Sequence, residues 1–322
     1  MGRKLALIDR SAAAFTTALA PMLRYVALNR FIMPRFQQAT DRCGIALRST
    51  HYYEPTYRES DLPPVTTGER NLPGLDFREA EQLDCLRQCR FRDELLAIPV
   101  ETHGPTEFGY DNLFYSFGDA EMLYNMIRLH KPMRIYEIGS GHSTLVARLA
   151  ITANRAEDPA YACEHLCIEP YEMPWLEQCG ATVVRERVET VDLSLFDRLE
   201  AGDILFIDSS HVLRPGGDVL REYQEIIPRL APHVLIHVHD IFTPREYPEE
   251  WLRNERRLWN EQYLVEAFLA YNTEFEMILA LNWLKHHHFE ALAAACPMLA
   301  LHPQYEPRAL WFRRALPKRA TS

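Results

Sequence analysis

The chain has 322 residues, 47% of them hydrophobic and 25% charged, the balance of an ordinary globular protein with length for one large or two ordinary domains. Its formal net charge is −10; phosphate-backbone binding needs a basic face, so nucleic acid is excluded as the main partner. Seven cysteines without a CxxC pair, and no stretch that reads as a secretory leader, predict free thiols in the reducing cytoplasm rather than a disulfide framework or a zinc knuckle.

Residues 1–105 differ in character from the rest. Helical periodicity runs over about residues 11–32, but Arg24 and Arg30 interrupt it and Pro21 and Pro34 break it. No uncharged apolar run reaches the ~18 residues of a membrane span. The amphipathic reading is a helix that packs on the following domain or on a second subunit, which would make a homodimer through the N-terminal region. Residues 52–75, punctuated by Pro63-Pro64 and Pro73-Gly74, read as an extended loop. Leu83, Leu86, Phe91 and Leu95 predict one helix over residues 78–96. The predicted division is a helical and extended N-terminal cap, residues 1–105, and a second domain, residues 106–322.

The aromatic and polar segment of residues 108–117 precedes a helix over 118–130. Residues 133–147, MRIYEIGSGHSTLVA, then read as a strand, a glycine turn and a helix start. Glycine serves such a turn by its backbone freedom and by letting a ligand approach the free N–H groups of the helix start. Ser143 and Thr144 are residue types that cap a first helical turn. Glu137, beside the turn, can contact the polar part of a ligand. Thr144 stands where a dinucleotide fingerprint has its third glycine, which disfavours NAD. The next strand, residues 160–169, ends in Glu169, placed to accept hydrogen bonds from ribose hydroxyls. Further strands are predicted at 181–188, 203–208, 234–240, 274–281 and 309–314, and helical segments at 174–179, 191–199, 217–230 and 263–271. DILFID, residues 203–208, is apolar throughout between its acids, as a strand buried on both faces should be. Strands alternating with helices argue a doubly wound α/β sheet.

The set Glu137-x-Gly139-x-Gly141, Glu169 and Phe206-Ile207-Asp208 resembles the class I S-adenosylmethionine (SAM) dependent methyltransferases, in a bacterial branch similar to metal-dependent small-molecule O-methyltransferases. The resemblance covers about residues 118–284. It implies a Rossmann-like seven-stranded sheet and SAM held by Glu137, Gly139, Ser140, Gly141, Ser143, Glu169 and Asp208. In such enzymes the segment before the 118–130 helix crosses the cofactor mouth, which makes Tyr110, Asp111, Asn112 and Tyr115 candidates as well.

The resemblance also sets the fourth strand beside the first and the fifth beside the fourth, so Asp208 and His211 should converge with His239 and Asp240 at the carboxyl ends of the strands. Strand alternation puts His237 and His239 on one face. Asp208, His239 and Asp240 form a candidate site for Mg²⁺, Mn²⁺ or Fe²⁺, with Zn²⁺ as a further option. Related metal-dependent enzymes carry acids at these two strand ends, where the metal binds substrate hydroxyls and lowers their pKa; His239-Asp240 departs from the Asp-Asn of the catechol enzymes. Without a metal, His211 is the candidate general base, with Asp208 and His239 as its catalytic companions. His237 reads as a core histidine and His286-His287-His288 as a solvated turn. Arg245 or Tyr247, after the fifth strand, could contact an acidic or aromatic substrate.

These residues predict a SAM-dependent methyltransferase that acts on a small molecule, at oxygen before nitrogen. Two other readings use the same residues: a hydrolytic or oxidative metalloenzyme carrying Fe, Zn or Mn on this scaffold, and a non-catalytic SAM-binding subunit.

Overall fold

The computed structural model describes residues 3–50, 53–62, 68–102 and 104–316; Tyr52 and Pro63-Pro64 of the predicted loop lie outside them. The chain divides into two compact units, residues 1–66 with 253–258, and residues 67–252 with 259–322.

In the first unit, helix α1 spans Arg3–Asn29, a tight turn covers Arg30–Ile32, and α2 spans Pro34–Arg42. Pro21 lies inside α1, so it does not break the helix as the sequence suggests. Pro34 opens α2 at a position whose N–H has no helical partner in any case. No helix among the described residues is long and apolar enough to cross a membrane.

The second unit begins with α3 (Glu79–Gln88) and α4 (Arg92–Ala97), two helices where the sequence predicts one. The chain turns extended at Cys89, and the bend lets both Leu86 and Leu95 into the core. Residues of the predicted cap beyond position 66 thus pack within the second unit. Next come α5 (Asp119–His130), β1 (Arg134–Ile138), α6 (His142–Glu157), β2 (Glu164–Ile168), β3 (Thr182–Val184) and β4 (Ile204–Ile207). Helix α7 (Asp218–Arg221) continues through a wider turn, Glu222–Ile226, into a tight one, Ile227–Arg229. β5 (Leu235–Val238), α8 (Glu261–Leu269), β6 (Phe275–Ala280) and β7 (Leu310–Arg314) follow.

The seven strands run in the order β3-β2-β1-β4-β5-β7-β6, parallel except for β7, which is antiparallel to both its neighbours. This is the expected doubly wound α/β sheet. Every residue of β4 and β5 is buried, as apolar runs covered on both faces should be. The direction of winding reverses between β1 and β4, so a crevice opens outside their carboxyl ends. Register makes those ends level: Ile138 pairs with Ile207, and Ile207 with Val238. Gly139, Asp208 and His239 therefore follow side by side, and the ladder extends one step into them, with Asp208 N donating to Ile138 O and His239 N to Ile207 O.

Candidate functional site

Gly139 leaves β1 with φ +76°, and a Cβ there would stand 1.9 Å from the carbonyl oxygen of Asp208. Glycine is thus demanded by the chain's own neighbouring strand, before any ligand arrives. At Gly141, with φ −179°, a Cβ would meet only Met173, at 3.5 Å. Ser143 and Thr144 do not cap α6. Their hydroxyls donate to Glu137 Oε2 at 3.1 and 2.7 Å, and His165 Nε2 lies 2.5 Å from Oε1. Glu137 is therefore buried and engaged from within: it braces the turn and is absent from the cleft wall.

Glu169 accepts hydrogen bonds from the backbone N–H groups of Tyr171 and Glu172, each at 2.9 Å, and of Ser140 at 3.3 Å. The loop after it wraps the guanidinium of Arg185, which donates to the carbonyls of Glu169, Glu172 and Met173. Between this loop and the glycine turn lies a cavity of about 530 Å³, lined by residues 139–143 and 169–173, Val188, Glu189, Asp208 and Ser209, with Phe114 and Tyr115 on its wall. That volume suits a cofactor-sized ligand. Tyr110 is not part of it. Its ring stacks on Phe117 in the core and its hydroxyl donates to Leu95 O, because the aromatic segment turns this side chain inward and brings Tyr115 to the cleft instead.

At the adjoining strand ends, His211 Nδ1 lies 2.9 Å from Glu261 Oε2. Its Nε2 faces Asp208 Oδ1 at 3.2 Å and Asp240 Oδ2 at 3.4 Å. Asp208, His211 and Asp240 each offer a ligand atom within 4.8 Å of the others. His239 stands behind them, with Nδ1 3.4 Å from Asp208 Oδ2 and 3.8 Å from Asp240 Oδ1, and Nε2 3.5 Å from Asp119 Oδ2. Arg308 Nε pairs with Asp240 Oδ1 at 2.5 Å, while its guanidinium also donates to Phe114 O and its backbone N–H to Asp119 Oδ1.

Charge balance follows from this crowding. Burial pushes both imidazole pKa values down, but the surrounding carboxylates outweigh it. His211 is held well above the ordinary histidine value by Asp208, Glu261 and Asp240, and His239 rises to about 9 through Asp208, Asp240 and Asp119. Burial raises the Asp208 carboxyl, yet His239 and His211 hold it well below its usual range. A protonated His211 has no lone pair with which to take a proton at neutral pH. The donor set does fit a divalent cation: two carboxylates and one imidazole whose other nitrogen is oriented by a carboxylate, as in many metal-bound histidines. Such a cation would take the place of the His211 Nε2 proton, leaving the Nδ1 proton donated to Glu261.

The sequence expects His239 as the imidazole ligand, and the structure brings His211 into that place. His237 lies in the core as expected, stacked on Phe206, although neither ring nitrogen has a partner; burial keeps it neutral. Tyr247 is buried, and its hydroxyl accepts from Gln262 N. His286, His287 and His288 pair with three separate carboxylates, Glu306, Glu69 and Glu79, and form no common centre. Glu137, His165 and Cys167 also cluster, but Glu137 is already engaged by Ser143, Thr144 and His165, and burial pushes the thiol pKa well up. Glu261, Asp119, Arg308 and Glu189 are additions that sequence reasoning misses. Glu189 alone had a signal, as an acid just past the third predicted strand.

Residues 136–241 match a family model described as a methyltransferase domain. An uncharacterized protein of Archaeoglobus fulgidus is 27% identical over 187 residues, 54% of this chain and 82% of its own. Among solved structures, an O-methyltransferase from Bacillus cereus in complex with S-adenosylhomocysteine (SAH) aligns over 73% of this chain and 91% of its own, at 10% identity and a TM-score of 0.35. The O-methyltransferase TomG of Streptomyces achromogenes, involved in tomaymycin synthesis and solved with SAM, aligns over 73% and 90%, at 13% identity and a TM-score of 0.36. At such scores the likeness adds nothing to what the strand order and the matched domain already carry.

Proposed function

We propose that this chain, which carries a class I SAM-dependent methyltransferase domain, methylates a hydroxyl oxygen of a small molecule with help from a divalent cation held by Asp208, His211 and Asp240. One observation carries the reading. The three ligand atoms meet at Asp208, which also lines the cleft walled by Gly139, Ser140, Gly141, Ser143 and Glu169. Cofactor and cation would thus meet at a shared residue.

Glu169 is pre-set for the ribose: backbone N–H groups orient its oxygens, two on Oε1 and one on Oε2, and Oε2 keeps a lone pair for a further donor. SAM, when bound, would supply the methyl group to the acceptor oxygen, with S-adenosylhomocysteine as the leaving group and the hydroxyl proton passing to water. A cation, when bound, supplies the Lewis acidity that lowers the pKa of the acceptor hydroxyl. The imidazole in the donor set favours Mn²⁺ or Fe²⁺ over Mg²⁺. Glu261 keeps His211 Nδ1 engaged so that Nε2 faces the two aspartates. His239, between Asp119 and Asp208, is a positioning residue that keeps the Asp208 carboxylate turned to the site. Much of the rate then comes from orientation. A cavity of about 230 Å³, lined by Phe117, Phe242, Trp251 and Tyr305 together with Asp119, Gln304, Glu306 and Arg308, offers room of mixed polarity for an acceptor. Seven free cysteines fit the reducing cytoplasm.

Calorimetry with SAM and with Mn²⁺ tests this. The expected result is one SAM site per chain, a Mn²⁺ site abolished by Asp208→Asn, and labelled-methyl transfer to catechol, used as a probe acceptor, that requires Mn²⁺. Mn²⁺ binding untouched by Asp208→Asn would overturn the cation assignment. Metal binding without SAM binding would favour a hydrolytic or oxidative enzyme.

A further inference from the structure

Seven apolar residues of α1 form a pattern, with exposed Leu7, Tyr25 and Leu28 lying outside it. Leu5, Ile8, Ala12, Phe15, Leu19, Met22 and Val26 follow one another at alternating steps of three and four. That is the a/d repeat of a left-handed coiled coil, carried through three heptads without a charged residue. Leu5, Ile8, Phe15 and Met22 are 55%, 64%, 68% and 55% exposed, while Leu19 and Val26 are half-buried.

We propose that α1 pairs in parallel with α1 of a second copy of this chain, making a homodimer. The seam is self-complementary, as a two-fold interface requires. The flanking charges choose the orientation. With Leu5 at a, Lys4 falls at g and Asp9 at the following e, so a parallel pair sets Lys4 of each chain against Asp9 of the other, twice by symmetry. An antiparallel pair would set g against g and e against e, and neither charge would meet its opposite. Arg10 and Arg24 fall at f, away from the partner. Pro21 falls at c, off the seam, and α1 continues through it. The paired helices would run about 40 Å, the length of 27 residues.

Light scattering on the full chain should give twice the 37.5 kDa chain mass. Ile8→Lys and Phe15→Glu should each weaken self-association at least ~30-fold, as for the loss of an interface hot spot, with circular dichroism and thermal unfolding of the second unit unchanged. In a Cys43→Ser background, Ala12→Cys at a should cross-link across the dimer under mild oxidation, and Ala13→Cys, one position away, should not. A monomeric chain overturns the proposal, as does an oligomer indifferent to both substitutions. So does a monomer that co-sediments with phosphatidylserine vesicles in a Phe15-dependent way, which would make α1 a membrane-surface helix.

Discussion

The two halves of the crevice are built differently. The glycine-turn half is made of contiguous chain: residues 139–143 and 169–173 line it, and backbone N–H groups and Arg185 set its shape. The acidic half is made of side chains from five separated places, Asp119, Asp208 with His211, Asp240, Glu261 and Arg308, and depends on charges offsetting one another. Backbone geometry tolerates change at single side chains, but a balanced charge cluster does not. The halves should therefore fail separately under substitution, except at the point where they touch.

The largest effect is expected from Asp208→Asn. It removes a charge that both imidazoles face, and should cut methyl-transfer turnover and Mn²⁺ affinity by ~100-fold or more, beyond the 10–100-fold typical of outer partners, while SAM affinity in calorimetry changes little. Gly139→Ala attacks the contact between the halves. The added Cβ meets the Asp208 carbonyl, and φ +76° is strained for any L side chain. Thermal unfolding should report a loss of at least ~2 kcal/mol, and both SAM and Mn²⁺ binding should weaken. Equal stability with SAM binding alone reduced would mean that the glycine serves the ligand rather than the sheet.

Much of this division was legible in the sequence. The apolar run of β4 between acids, the glycine turn and Glu169 each lie within a few residues of the strand that explains them. The strand-end rule then brings Asp208 to Asp240. What periodicity cannot describe is a loop. His211 and Asp240 both have positive φ, +58° each, so strand alternation points to His239 as the ligand while the turn swings His211 into place. Glu261 lies 50 residues from the histidine it orients, in a helix whose start the sequence places two residues later. Ser143 and Thr144 look like caps because their type is right; only the packed structure reveals a buried Glu137 carboxylate below them that needs donors.

Smaller effects sharpen the contrast. Glu261→Gln keeps the size but loses the charge behind His211 Nδ1, and should lower Mn²⁺ affinity 10–100-fold with SAM affinity intact. Glu169→Ala should do the reverse, weakening SAM by ~1.5–3 kcal/mol, as for hydrogen bonds to a charged group, with Mn²⁺ affinity retained. Gly141→Ala, where only Met173 stands near, should alter stability by no more than ~0.5 kcal/mol; a larger loss would show that this glycine too is fixed by the fold.

The most direct test is diffraction from crystals grown with SAH and Mn²⁺, recorded at the manganese edge. The account predicts SAH in the cleft between Gly139 and Glu169, and an anomalous peak at ~2.0–2.6 Å ligand distance from Asp208, His211 Nε2 and Asp240. SAH lying elsewhere, or a peak that leaves out Asp208, would contradict it.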